Sequence, residues 1–453
     1  MLGSGKKDVA MLMSYVATDK LLKPGGRLAF VVTQTLFKTA GAGQGFRRFR
    51  IGDGGPDFRV ESVDDMVDLN PFVGASNRTA LVTWTRDAKT TYPVDYRLWQ
   101  RTAPRGIPAD APRDAVLAVT EQLLLAAAPV HDDDPTSAWL TAPPPLVPAL
   151  RKLAETGDAH YRAHAGVYAG LNGVYWLSVT GPPGADGRVP VTNLHDIGTT
   201  RLRKEYGLVE SELIHPLVRG RDIERWLARA SVSLLFVQDV DARRGIDHAM
   251  MADKYPGALA FLESFEPDLR ARRGFPAALR RGEWPFWSML GVGDYTLAEH
   301  KVVWRDQAAD FAAAVMPRGA PLPFPNHKAM MVACESADEA HYLCGVVNSL
   351  PVRTFVASYV VETQISTHLV RYVHIPKFDQ ENPEHRSLRD AAQNAHAAVS
   401  RGDKPDEDTV DRAAGALWRL TFEDLAGMRD YLDRLQKRHE SPTLGEVATA
   451  SDD

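Results

Sequence analysis

Apolar residues open the chain at helical spacing. Val9, Leu12, Met13, Val16, Ala17 and Leu21 recur every three or four positions until Lys23-Pro24-Gly25-Gly26 stops the helix. Arg27 to Thr33 follows as a continuous run of β-branched and aromatic residues, which predicts a strand covered on both faces. Gly45 to Ile51 suits another helix, and Val60 to Leu69 and Thr79 to Thr85 predict two more strands that form an antiparallel edge. Residues 8–86 therefore read as the second half of a doubly wound (Rossmann-like) α/β sheet. The strand and glycine loop that cradle a nucleotide-type ligand at the switch point of such sheets do not precede them.

Farther along, proline and glycine mark the divisions. Ala103 to Pro108 and Pro135 to Pro148 flank a helix expected around Val116 to Ala127, which predicts a helical, Pro-rich connector over residues 103–162. An α+β unit is expected over 163–376. Within it, Ser336 and Glu339 have the spacing of a capping box, before a helix ending at Asn348. Leu417, Leu420, Leu425, Met428, Leu432 and Leu435 then predict closing helices over 377–440. Residues 441–453 are expected to be a disordered tail.

Composition narrows the function classes. At 453 residues the chain should hold about three domains, and 44% hydrophobic content supports real cores. Its two cysteines, Cys334 and Cys344, argue against a disulfide scaffold and fit a reducing cytoplasm. No metal site is expected from the fourteen histidines: His160 and His164 are an i, i+4 pair without acidic or thiol company, and solvent-facing positions explain them better. No apolar run reaches membrane-span length, so no membrane partner is expected. Gly3-Ser4-Gly5-Lys6-Lys7 lacks the first glycine and the hydroxyl residue of a phosphate loop, and Gly41 to Gly45 has no acidic partner at dinucleotide-site spacing.

The net charge of −5 looks poor for a DNA binder, but its distribution matters more than its sum. Residues 201–305 hold 17 Lys/Arg against 15 Asp/Glu, a balance of +2, so the acidic excess lies elsewhere. The basic residues cluster as Arg201, Arg203 and Lys204; as Arg219, Arg221 and Arg225; and as Arg270, Arg272, Arg273, Arg280 and Arg281. The last cluster is the one expected on phosphates, since so many neighbouring guanidiniums repel one another without anions. Arg219-Gly220-Arg221-Asp222 reads equally as a salt-bridged turn or a DNA contact. Trp226, Phe275, Trp284, Phe286 and Trp287 are interleaved with these clusters and serve either stacking or the core.

Several of these segments, taken in order, resemble one family. The helix end Leu22-Lys23-Pro24-Gly25-Gly26-Arg27-Leu28, the loop and basic helix Gly41 to Phe49, Asn70-Pro71-Phe72 and Asn77-Arg78-Thr79-Ala80-Leu81-Val82 resemble the later part of adenine-specific (N6) DNA methyltransferases of the restriction–modification type. Downstream, Pro216-Leu217-Val218-Arg219-Gly220-Arg221-Asp222 resembles a signature of the specificity domains in the type IIG and TaqI-like group. Gly166 to Tyr175, with Gly170 and Asn172, resembles the Gly-x-x-x-Gly-x-Asn start of that domain. Lys301 to Arg305 and Tyr342 to Ser349 resemble its later strand and helix.

The resemblance implies a methyltransferase sheet over 1–102, a DNA target-recognition domain over 163–376, and S-adenosylmethionine as cofactor of the complete enzyme. The family's cofactor loop and its Asn/Asp-Pro-Pro-Tyr/Phe motif do not occur here. Pro143-Pro144-Pro145 is followed by Leu146, and Pro182-Pro183 lies between glycines, so neither is a displaced copy. This chain alone is therefore expected to bind no cofactor, to carry no catalytic residue, and to need a separately encoded N-terminal half for methylation. Double-stranded DNA is the expected partner, in a cytoplasmic, nucleoid-associated setting. The candidate DNA contacts are Gly170, Asn172, Arg219, Arg221, Arg225, Arg270, Arg272, Arg273, Arg280, Arg281, Lys301 and Arg305. A non-catalytic DNA-binding specificity subunit and a decayed fragment remain as alternatives.

Overall fold

The computed structural model describes residues 9–39, 42–69, 71–72, 79–102, 106–108, 110–154, 159–198, 200–306, 311–359, 367 and 369–440. Gly3 to Lys7, Gly41, Asn70, Asn77, Arg78 and the expected disordered tail lie outside them. Helix α1, Val9–Lys20, leads into β1, Arg27–Thr33. Next come β2, Phe58–Asp65, β3, Thr79–Arg86, β4, Val94–Arg101, β5, Thr120–Pro129, and β6, Trp139–Ala142. These six form one mixed sheet in the order β1-β3-β2-β4-β5-β6. β3 runs antiparallel to both β1 and β2, so those two are parallel with β3 inserted between them. β2 and β4 are parallel, and β5 and β6 follow antiparallel.

Three expectations need correction. β3 is not part of an edge; the edge strand is β1, and it is not covered on both faces, since Val31 is 42% exposed. The helix expected over 116–127 is instead a short helix, Arg113–Ala118, followed by β5. Leu and Ala favour helices, but eight paired positions with β4, from Val94 opposite Ala127 to Arg101 opposite Thr120, override that propensity. The helix read at Gly45 to Ile51 lies earlier, at Ala42–Phe46.

Helix α1 is turned about its axis relative to its apolar stripe. Met11, Ser14 and Thr18 are buried, and the Thr18 hydroxyl accepts from Trp84 Nε1 at 2.8 Å. Val9, Leu12, Met13, Val16 and Leu21 face outward, Leu21 at 78% exposure. An open strand edge and an uncovered apolar helix face thus occur together at one end of the sheet.

A second six-stranded sheet carries its own core. In spatial order its strands are Tyr206–Glu210, Arg188–Asn193, Trp176–Val179, Val232–Leu235, Ile214–Val218 and Phe324–Pro325. With the helices His248–Lys254 and Pro256–Glu263 it encloses a cluster running from Val167 to Phe324. β7, Ala163–Ala165, belongs to a separate four-stranded sheet with Ala329–Cys334, His300–Arg305 and Ala313–Val315.

That smaller sheet packs on helix Ala337–Asn348, which ends where the sequence placed its end. Ser336 Oγ accepts from the Glu339 amide, whereas the Glu339 carboxylate takes the amide of Glu335 rather than closing the box on Ser336. Helices Leu350–Tyr359, Pro383–Arg401, Glu407–Leu417 and Phe422–Glu440 complete the fold, and their core is continuous with that of the first sheet. No helix among the described residues is long and apolar enough to cross a membrane.

Candidate nucleic-acid interface

The segment Arg162 to Asn172 alternates strictly. Its odd positions are Ala163, Ala165, Val167, Ala169 and Leu171, which are buried in or packed against the cores. Its even positions are Arg162, His164, Gly166, Tyr168, Gly170 and Asn172, and the four with side chains keep some exposure. Period-two alternation puts one set inside and the other on a single outward face. Backbone bonds hold it there: Tyr168 and Leu290 exchange amide–carbonyl bonds of 2.9 Å, and the His327 amide donates to Val167 O at 3.0 Å.

The two even glycines sit where other segments cross. A Cβ on Gly166 would lie 2.3 Å from the carbonyl oxygens of Pro325 and Asn326. Gly170 has φ +75°, and a Cβ there would lie 2.4 Å from the Phe275 ring. Between them, the Tyr168 ring meets His327 edge-on with centroids 4.8 Å apart and stacks on Phe275 at 5.6 Å. Tyr168, Gly170 and His327, with Asn172, Thr200 and Leu202, line a cavity of about 200 Å³. Burial, helped by Lys328, pushes the His327 imidazole down to about 4, and its Nδ1 has no protein partner. At neutral pH the cavity therefore offers a neutral imidazole, a phenol, a hydroxyl and an amide, groups able to read the edge of a polar ligand.

Of the basic candidates, the structure separates structural from free cations. Arg272 is a correction: it is 5% exposed, donates to the carbonyls of Leu269, Ala169 and Phe286, and lies over the Phe275 ring. It ties the Gly170 turn to two neighbouring segments and cannot reach a phosphate. Lys301 is likewise inside, 1% exposed, and burial pushes its ammonium down to about 8. Arg225 pairs with Glu407, and Arg305 donates to Ile223 O at 2.8 Å. Arg219 takes the salt-bridged-turn role, with Nε 3.1 Å from Asp222 Oδ2 and 3.0 Å from Ser231 Oγ.

Arg270 and Arg281 are exposed but paired with Glu266 and Glu283. Arg221 is exposed, and its carbonyl accepts from Arg305. Arg273 and Arg280 are exposed with no carboxylate within 4.0 Å among the described residues. Trp226, Phe275, Phe286 and Trp287 are buried, so they serve the core rather than stacking on bases. Tyr168, His327 and Thr200 were not singled out from sequence; the alternation from 162 to 172 is the signal that could have found the first.

Side chains just past β1 and at the end of β2 form a hydrogen-bonded cluster. Gln34 and Tyr96 both donate to Asp65 Oδ2, and the Val67 amide takes Oδ1, which closes that cluster. The described residues contain no group of three or more acidic, His or Cys residues able to hold a metal. His160 and His164 do not share a helical face, because 163–165 is a strand and His164 stacks on Tyr295.

No family model and no curated protein matches the chain. Among solved structures, the type IIL restriction–modification enzyme MmeI, determined in complex with DNA, aligns over 95% of this chain and 51% of its own, with TM-score 0.54 and 8% identity. That likeness is one of fold, and the chain spans about half the length of the structure it matches. The type IIG restriction endonuclease BpuSI aligns with TM-score 0.28 and 12% identity, over 95% of this chain and 50% of its own. A nuclease-deletion mutant of the type ISP restriction–modification enzyme LlaGI aligns with TM-score 0.32 and 9% identity, over 84% of this chain and 36% of its own.

Proposed function

We propose that this chain is the DNA-recognition part, together with the later strands of the methyltransferase sheet, of a site-specific adenine-N6 DNA methyltransferase of the restriction–modification type. The observation that carries this reading is the end of the first sheet. Among the described residues β1 pairs with β3 alone, and the apolar stripe of α1 lies uncovered beside it. A strand edge with an apolar helix layer calls for more sheet and more helix, and of the segments that resemble the methyltransferase family, Leu22 to Leu28 leads into β1 and Thr79 to Val82 lies on β3. The fold shared with the DNA-bound restriction–modification enzyme supports the same assignment.

The reaction of the assembled enzyme is transfer of the sulfonium methyl of S-adenosylmethionine to the exocyclic amine of an extruded adenine, with loss of a proton from that amine. This chain's part is to hold and read the duplex. The test is to measure methyl incorporation into duplex DNA by the chain alone and by the chain co-expressed with a half that carries the glycine loop and the Asn-Pro-Pro-Tyr motif. Incorporation only in the second case, with a rise in thermal stability, is the expected result. Methylation by the chain alone, or no change in stability and activity with that half, would reject it. DNA binding that persists after such a rejection identifies a non-catalytic specificity subunit.

A further inference from the structure

Outside the cavity, the same outward face carries a second feature. His164 and Tyr295 stack nearly parallel, with centroids 3.7 Å apart and planes 8° from each other. Both supports are rigid. His164 lies in β7, paired opposite Met331. Tyr295 lies on the turn Asp294–Leu297, whose Thr296 is buried and bonded to Gly293 through both its amide and its hydroxyl.

Two arginines accompany this ring pair. Arg162 precedes β7, and Arg243 sits in the turn between Gln238–Asp239 and Arg244–Gly245, at φ +52°. Both are exposed, and neither has a carboxylate within 4.0 Å among the described residues. Both act electrostatically on His164 and on Tyr295. Elsewhere in this unit Arg203, Arg270, Arg281 and Arg318 come with an acid, whereas Arg201, Arg229, Arg273 and Arg280 are exposed without one among the described residues. Arg162 and Arg243 differ in that both act on one stacked polar aromatic pair, a combination that suits an anion.

We propose that Arg162, Arg243 and the His164–Tyr295 stack bind the phosphodiester backbone of duplex DNA, anchoring the duplex whose base edges lie toward the Tyr168–Asn172 cavity. The proposal rests on the DNA-recognition reading and adds to it a named phosphate anchor. Guanidiniums supply charge and paired donors to phosphate oxygens. The stack gives them a flat, rigid floor, and the imidazole supplies one further hydrogen bond. From Arg162 to Tyr168, six residue steps of up to ~3.3 Å each set the anchor up to ~20 Å from the cavity. Backbone anchoring at one end and edge reading at the other is the division of labour that DNA-binding surfaces use.

The test uses the full chain and a 30-base-pair duplex, with affinity followed by fluorescence anisotropy across a NaCl series. The double variant Arg162→Gln/Arg243→Gln should reduce the magnitude of the log affinity against log salt slope by about 1.8, at about 0.9 per lost phosphate contact. Arg401→Gln/Arg434→Gln on the C-terminal helices removes the same charge and should leave the slope unchanged. His164→Phe keeps an aromatic stack and should weaken binding without changing the slope. Thermal melting confirms that each variant is folded. Salt-dependent binding by the parent with an unchanged slope in the double variant overturns the anchor and leaves DNA recognition standing. Equal slope losses in both double variants also overturn it, by showing a net-charge effect. No duplex binding by the parent overturns both.

Discussion

Arg225 Nη1 lies 2.9 and 3.1 Å from the two carboxylate oxygens of Glu407, 182 residues away in sequence. Arg353 adds a contact of 3.8 Å to the same carboxylate, and the neighbouring Trp226 indole donates to it at 3.4 Å. Burial alone would raise the Glu407 carboxyl, yet Arg225 and Arg353 hold it below its ordinary range. A turn at Arg225 and Trp226 is thereby clamped to the first turn of the helix Glu407–Leu417. Arg225→Ala leaves that carboxylate without its closest cation, so urea unfolding should show a loss of about 1–3 kcal/mol. The folded carboxyl is depressed, so the clamp's contribution is present above pH ~4.5 and fades as pH falls further.

Arg272 and Arg273 are neighbours in sequence with opposite roles. Arg272→Ala should cost about 3 kcal/mol in urea unfolding, because three carbonyls lose their donor inside the protein. Arg273→Ala/Arg280→Ala should leave stability within about 0.5 kcal/mol, since both side chains are exposed. If the reverse order of stabilities is measured, the buried position of Arg272 is wrong.

Lys301 is buried, with no carboxylate within 4.0 Å of its ammonium among the described residues. Its folded value of about 8 lies below the ordinary one, so between pH 8 and 10.5 the unfolded chain holds a proton that the folded chain has released. Stability should therefore rise with pH through that window. Lys301→Met should raise stability at pH 7 by about 1–3 kcal/mol, and the gain should shrink by pH 10. Urea midpoints of both proteins at the two pH values check the sign.

His327 is the same case among the histidines, a base pushed down by burial. With a folded value near 4, its contribution is intact above pH 6.5 and is lost as pH falls from 6.5 toward 4, where the unfolded imidazole protonates first. Imidazole NMR signals followed from pH 8 to 4 should show the His327 resonance still unmoved at pH 5.5. A midpoint near 6.5 would mean that the Tyr168 cavity is open to water.

The strands β1, β2 and β3 were legible because dense β-branched and aromatic runs leave little choice, and the closing helices because their apolar spacing is regular. β5 was not, since Leu123-Leu124-Leu125-Ala126-Ala127-Ala128 has the local preference of a helix and only its partner β4 makes it a strand. The stripe of α1 was visible, but its outward direction was not, because a sequence pattern does not say which side is covered. The basic clusters could be counted without being sorted: the carbonyls that capture Arg272 and the carboxylate that captures Arg225 come from distant segments. The cavity residues escaped for the same reason, since Tyr168 and His327 meet only through the crossing at Gly166.

That crossing also fixes where the second core leaves and rejoins the rest of the chain. Val167 is bridged to Asn326, and the Gly166 amide donates to Ala329 O, so both ends of the intervening segment emerge side by side. A segment with adjacent ends and its own interior resembles a cartridge seated in a frame. Its seating is broad: strands His300–Arg305 and Ala313–Val315 of the same segment complete the four-stranded sheet, Val302, Trp304, Phe311 and Trp226 lie in the neighbouring core, and Arg225 joins the clamp on Glu407. Any cartridge transplanted between Gly166 and Asn326 must bring these seats with it, whatever face it presents to its ligand.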